Sequence, residues 1–408
     1  MYTSPTLYES PAFYRGPQTD QYRESSLQPY GRENVLSRSR GQKVRIPDLR
    51  PLMSGWPMDI NPHRETVKAV IADILDKYSM SAAMTMKLKK ANLDYLLSVW
   101  FPYSSEEKLI DLTYFCGWMF LVDDEIDAMS MPNHFDQDAF AALYRETLEV
   151  VQQSLKLGDT AHAEDRKSVS PTAESFRRIG SALCRSYSYE KRVMFLDEAR
   201  LTLDGYRSEQ QLRLIGTIPS FEEYWDYREG SSCCRQVVAM IEFANELRIP
   251  IHIIESPDMR SLWKETCLVH WITNDIVSAK KELAEGFVEN LVVLCSDLAY
   301  SAQSGMDTAI NLLKASIQRL ELAAFNLLST YCGQTERRSI SQLLSMLKEI
   351  PADVEYTQDD LSCAIELFIA NCKCMCVGNL NWSVASPRYG LQELSRDEEG
   401  GMEFVIGL

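Results

Sequence analysis

The densest chemistry in the chain lies at residues 115–129, FCGWMFLVDDEIDAM, where an apolar, aromatic run leads into Asp123, Asp124, Glu125 and Asp127. On an α-helix, residues four apart sit about 40° apart around the axis and one turn along. Asp123 and Asp127 therefore share a face, with Met119 and Phe115 above them on the same stripe. That places hard oxygen ligands at the mouth of an apolar wall. Carboxylates so close repel one another unless a cation joins them, and oxygen-only ligation suits magnesium or manganese. A solvated charge run is the plain alternative.

A second set stands at Asn274, Ser278 and Glu282, four residues apart within NDIVSAKKE. It stacks an amide carbonyl, a hydroxyl and a carboxylate on one helix face, enough to hold one divalent cation beside phosphate oxygens and water. Lys281 lies next to them as a phosphate-directed point charge. Ser256 and Pro257 suit the start of this helix and Gly286 its end. An ordinary polar face would look the same.

Upstream, Ser220 and Glu223 read as a capping box. Arg228 follows two turns in, directly before Gly230, Ser231 and Ser232, weak helix formers at which a kink is expected. An Arg at a helix break can aim its planar fork at a phosphate, or simply join a salt bridge. The fourth stretch, GNLNWSVASPRYG at 378–390, carries Arg388 and Tyr389 as donors suited to a diphosphate, with Trp382 six residues before Arg388. Pro387 makes this segment a stiff turn.

These side chains need helices to hold them. Apolar residues recur at helical spacing after Asn61-Pro62, a cap and first-position pair. Further helices are expected at about 82–99, 105–129, 136–157, 173–209, 221–247, 258–285, 304–331, 335–349 and 358–377. No alternating strand pattern of any length stands out. The expected fold is all-α, one helical domain over 45–392. A mobile leader at 1–44 precedes it and a mobile acidic tail at 393–408 follows, and residues 158–175 form a polar loop.

The composition sets limits on function. The 408 residues are 45% hydrophobic, enough for a large core. A net charge of −16 argues against a general nucleic-acid or anionic-membrane binder. The eleven scattered cysteines read as reduced thiols in a cytoplasmic protein, and Cys372, Cys374 and Cys376 as packing groups on a helix rather than zinc ligands. No apolar run approaches a membrane span and no signal core opens the chain.

Taken together and in order, the four motifs resemble those of the class I terpene cyclases, closest to the fungal and bacterial single-domain type. DDEID looks like the aspartate-rich motif, and Asn274, Ser278 and Glu282, with Lys281, like the second metal motif. Arg228, 46 residues before Asn274, stands where the family places its diphosphate-sensing arginine. NLNWS and SPRY are similar to the family's C-terminal Trp segment and Arg-Tyr pair. One departure is Ser231, where many relatives carry a linking aspartate; Ser232 takes the position of the effector carbonyl.

The resemblance implies a linear prenyl diphosphate substrate and three magnesium ions, with manganese as a substitute. It implies that Asp123 bridges two ions, assisted by Asp127 or Asp124, and that Asn274, Ser278 and Glu282 hold the third. Arg228, Lys281, Arg388 and Tyr389 would donate to the diphosphate. Phe115, Met119, Phe120 and Trp382 are candidate walls for the carbocation, Trp118 is expected between helices, and His270 is given no role. The expected activity is that of a sesquiterpene synthase, a carbon–oxygen lyase acting on farnesyl diphosphate, as monomer or homodimer. A monoterpene cyclase using geranyl diphosphate, a chain-elongating prenyl diphosphate synthase and a non-catalytic helical binding protein are the alternatives.

Overall fold

The computed structural model describes residues 31–79, 81–131, 134–158, 170–296, 301–333, 338–351 and 354–407. The first 30 residues of the expected leader and most of the 158–175 loop lie outside them. The described fold is all-α apart from two short two-stranded ribbons.

Four helices carry the motif residues, Glu106–Met129, Phe221–Ser231, Pro257–Glu285 and Gln358–Ala385, and a fifth, Tyr189–Ile215, packs against Phe221–Ser231. The first is buried on nearly every side from Leu109 to Ile126, as an apolar helix must be when neighbours surround it. Pro257–Glu285 starts and stops where its sequence dictates. Ser256 accepts a hydrogen bond from the Met259 N–H, Pro257 occupies the first turn, and Gly286 closes the helix at φ +87°. It packs between Ala302–Tyr331 and Gln358–Ala385.

Phe221–Ser231 opens with both halves of the Ser220–Glu223 capping box. It breaks at Cys233, which is left-handed at φ +59°, and a new helix, Cys234–Ala239, begins there. The expected kink is present. Gly230 meets Gly205 of Tyr189–Ile215 at a backbone-to-backbone crossing. A Cβ on Gly230 would stand 2.4 Å from the Leu201 carbonyl oxygen, and one on Gly205 2.4 Å from the Ser231 nitrogen. Two glycines thus let these helices touch.

Several expectations are corrected. The described parts of the leader and tail are not free: strand Lys43–Ile46 pairs antiparallel with Met402–Val405, and Val44, Ile46, Met402, Phe404 and Ile406 are buried. Residues 31–44 also include a helix, Arg32–Ser39, with Val35 buried. Lys43–Ile46 alternates polar and apolar residues and Met402–Val405 does so only over Met402–Phe404, too few residues to stand out as a pattern. Asn61 does not cap a helix. The next helix is Arg64–Tyr78, and the Asn61 amide donates to the Phe101 and Ser104 carbonyls. The 82–99 helix is divided at Asn92, left-handed at φ +54°. Gln358–Ala385 runs through NLNWS, so the turn starts only at Ser386. That helix is long and apolar enough to cross a bilayer, unlike any run expected from sequence, yet 72% of its apolar window is buried in the protein core. Cys372, Cys374 and Cys376 lie buried on it as free thiols.

Candidate active site

Asp123, Asp124 and Asp127 bring one carboxylate oxygen each within 4.8 Å of one another. Asp124 points away from the mouth and pairs with Lys87 at 2.7 Å. Asp123 and Asp127 face a polar mouth that Asn274, Lys281 and Glu282 also line. Although the Asp127 side chain is 48% exposed at the mouth, desolvation by the protein around it and the neighbouring Asp123 charge push its carboxyl up to about 7, while Arg213 at 3.9 Å opposes the shift. Burial, then repulsion from Asp275, raises the Glu282 carboxyl as well. These groups hold negative charge at a cost, which a bound cation relieves.

Donors for an anion surround the same mouth. Arg388 is turned inward, its Nη2 3.7 Å from Asp123 Oδ2. Its Nη1, like Nη1 and Nε of Arg213, is buried with no hydrogen-bond partner among the described residues. Such orphaned guanidinium atoms are costly unless an anionic ligand fills them. Burial disfavours the Arg388 charge, yet Tyr389 and the aspartates outweigh it and hold the guanidinium charged. The turn aiming Arg388 is fixed by Ser386, whose hydroxyl donates to the Ala91 carbonyl and accepts from the Arg388 N–H.

Arg228 is set by a buried network. Its Nε and Nη2 donate to Asp275 Oδ1 at 3.2 and 2.9 Å, and Nη2 also reaches Asn274 Oδ1 at 2.9 Å. Asp275 further accepts from the Tyr224 hydroxyl and the Leu291 N–H. The Asn274 amide donates to the Tyr389 hydroxyl at 2.9 Å. One chain of bonds therefore links the kinked helix, Pro257–Glu285 and the C-terminal turn.

Beyond the mouth lies an apolar chamber lined by Leu96, Trp100, Met119, Phe120, Trp271 and Trp382 among others. Asp123, Tyr206, Arg228, Asn274, Arg388 and Tyr389 border both spaces. A charged mouth thus opens directly onto an aromatic pocket. Trp382 is pinned by its indole N–H to the Ala91 carbonyl and meets Tyr389 edge-on.

Residues 114–319 match the family model described as terpene synthase family 2, C-terminal metal binding. The chain belongs to this family. Sesquiterpene cyclase hepA of Aspergillus oryzae is 27% identical over 367 residues, covering 88% of this chain and 93% of that protein. The (+)-eremophilene synthase of Gibberella fujikuroi is 26% identical over 299 residues, 72% of this chain and 80% of that one. Among solved structures, hedycaryol synthase in complex with HEPES superposes with a TM-score of 0.63 at 17% identity, covering 81% and 96% of the two chains. This is a fungal-type class I terpene cyclase fold, an enzyme of terpene cyclisation whose acidic cluster binds divalent metal.

Within this cyclase, most residues singled out from sequence converge. Asp123, Asp127, Arg228, Asn274, Lys281, Glu282, Arg388 and Tyr389 line the mouth; Met119, Phe120, Ser232 and Trp382 line the chamber. Two differ. Phe115 is fully buried against Trp118 and Phe195 rather than facing the chamber. Each step of four residues drifts about 40°, so two steps back from Asp123 carry the stripe well off the site. Ser278 is 1% exposed, beneath the mouth rather than on its surface, with its hydroxyl 3.4 Å from Asn290 Nδ2. Trp118 packs edge-on against Phe176, between helices as expected.

Sequence reasoning missed Asp275, Tyr206, Arg213 and Asn290. Asp275 stood inside the motif, one residue after Asn274, on the helix face turned towards Arg228. Tyr206 donates to Asp123 Oδ1 at 2.9 Å from a helix that carries no motif, so nothing in the sequence marked it. His270 was set aside, yet it lines the chamber, where its ring lies 5.4 Å from Trp100.

Proposed function

We propose that the chain is a magnesium-dependent lyase that ionises farnesyl diphosphate, cyclises the carbocation to a sesquiterpene and releases diphosphate. What supports this most is one observation: Asp123 and Glu282 face a common mouth that opens onto an aromatic chamber. The names of the fungal relatives favour the fifteen-carbon substrate.

Three magnesium ions, held by Asp123 with Asp127 and by Asn274, Ser278 and Glu282, would supply the Lewis acidity that stabilises the departing diphosphate. The protein's own groups do the rest. Arg228, Lys281, Arg388 and Tyr389 donate to the diphosphate oxygens and retain it at the mouth after the C–O bond breaks. The hydrogen-bond chain from Asp275 through Arg228 and Asn274 to Tyr389 orients those donors before substrate arrives. Phe120, Trp100, Trp271 and Trp382 line the chamber, where an aromatic face turned to a confined, desolvated cation contributes about 0.5–2 kcal/mol. Met119 and Leu96 shape the prenyl chain and exclude water. Ser232 sits at the helix break, where its carbonyl can face the ionising carbon.

Incubation of the purified protein with ten-, fifteen- and twenty-carbon diphosphates plus magnesium tests this reading. The expected result is a cyclic fifteen-carbon hydrocarbon or alcohol with stoichiometric diphosphate. Longer diphosphates formed only with added isopentenyl diphosphate would instead assign a chain-elongating synthase.

A further inference from the structure

Asn290 is fully buried just beyond the helix that carries Asn274, Ser278 and Glu282. Its Oδ1 accepts from the Val292 N–H at 2.8 Å and caps the short helix Leu291–Leu294. That bond fixes which end of the amide is which. Its Nδ2 then points back at the preceding helix, 2.9 Å from the Asp275 carbonyl, 2.8 Å from Glu282 Oε2 and 3.4 Å from Ser278 Oγ. An amide has two hydrogens, so the two short contacts take them and the Ser278 hydroxyl shares one.

The loop carrying Asn290 is held from both sides. The Leu291 N–H donates to Asp275 Oδ2 at 3.1 Å. The adjacent Glu289, which lines the mouth, is gripped by both terminal nitrogens of Arg32 from the N-terminal helix. Asn290 is therefore a rigid donor rather than a mobile loop residue.

We propose that Asn290 is a positioning residue for the second metal site: its amide N–H groups hold the Glu282 carboxylate and the Ser278 hydroxyl in the orientation a cation needs. Engaging Oε2 leaves Oε1 of Glu282 for the ion. Outer partners of this kind commonly change metal affinity by about 10–100-fold when removed, because the ligand's long side chain is no longer pre-set. Glu282 gains most, since it rests on Pro257–Glu285 through several rotatable bonds. The proposal rests on reading Asn274, Ser278 and Glu282 as ligands.

The test measures the magnesium concentration giving half of the thermal upshift caused by inorganic diphosphate, in wild type, Asn290→Ser, Asn290→Ala and Glu282→Ala. Serine keeps an oxygen that can cap Val292 but cannot reach Glu282, so Asn290→Ser should retain nearly the wild-type melting temperature without ligand. Its magnesium midpoint should rise about tenfold or more, approaching that of Glu282→Ala. Asn290→Ala should show the same midpoint shift with an added loss of stability from the missing cap. An unchanged midpoint in Asn290→Ser, while Glu282→Ala shifts, overturns the positioning role alone. If Glu282→Ala does not shift either, the ligand assignment itself fails and the inference falls with it.

Discussion

Among the individual side chains, His270 offers a test that needs no substrate. Its Nδ1 is buried with no hydrogen-bond partner among the described residues, and burial lowers the imidazole from its usual 6.5 to about 3. The folded protein therefore keeps it neutral while the unfolded chain takes up a proton below about pH 6.5. Stability from this group is present above that pH and is lost as pH falls towards 3. Between pH 7 and pH 5 the loss is about 2 kcal/mol. Urea unfolding of wild type and His270→Gln at both values should show the variant spared that increment; an equal pH response in the two proteins contradicts it. His270 also illustrates what sequence cannot supply. A lone helical histidine gives no sign of whether it faces packed core or an aromatic chamber, because a rotation of some tens of degrees decides between them. The same rotation turned Phe115 inward while Met119 kept its place on the wall.

The helices themselves were the most legible feature. Pro257–Glu285 began and ended at the residues its caps indicated, because Ser256, Pro257 and Gly286 act locally. The capping box and the break after Arg228 were legible for the same reason. What the sequence concealed was how helices meet. Gly205 lies in the middle of a helix and Gly230 close to the end of one, and both look like weak points until the crossing is seen. Gly230→Ala places a Cβ against the Leu201 carbonyl, and backbone cannot yield as a side chain can. A destabilisation of about 1–3 kcal/mol is expected from such overpacking. Arg228 lies two residues away, so diphosphate release should fall by roughly tenfold or more as the guanidinium is displaced. Thermal melts and a turnover assay on one preparation check both numbers. A variant with unchanged melting and turnover would show that the crossing does not set the position of Arg228.

Across the whole molecule, the two ends of the described chain meet. Lys43–Ile46 and Met402–Val405 pair next to the end of the C-terminal helix, and Arg32 reaches from the first helix to Glu289 at the mouth. Composition suggested a loose leader and tail here, since an acidic run such as SRDEE outweighs four alternating residues in any window. Their burial makes a different expectation. Phe404→Ala should cost about 3 kcal/mol, the usual loss for truncating a buried Phe, whereas a mobile tail would tolerate it; chemical denaturation distinguishes the two.

The two stretches read as metal motifs were legible because each is local and their order is characteristic. Their facing across a shared space is a tertiary fact, and it carries the functional account. A crystal structure with manganese and inorganic diphosphate, read by anomalous scattering, tests it most directly. The account predicts metal peaks on the Asp123 side and on the Asn274–Glu282 side, with one diphosphate between them contacted by Arg228 and Arg388. Manganese absent from either side, or diphosphate bound away from both arginines, would contradict it.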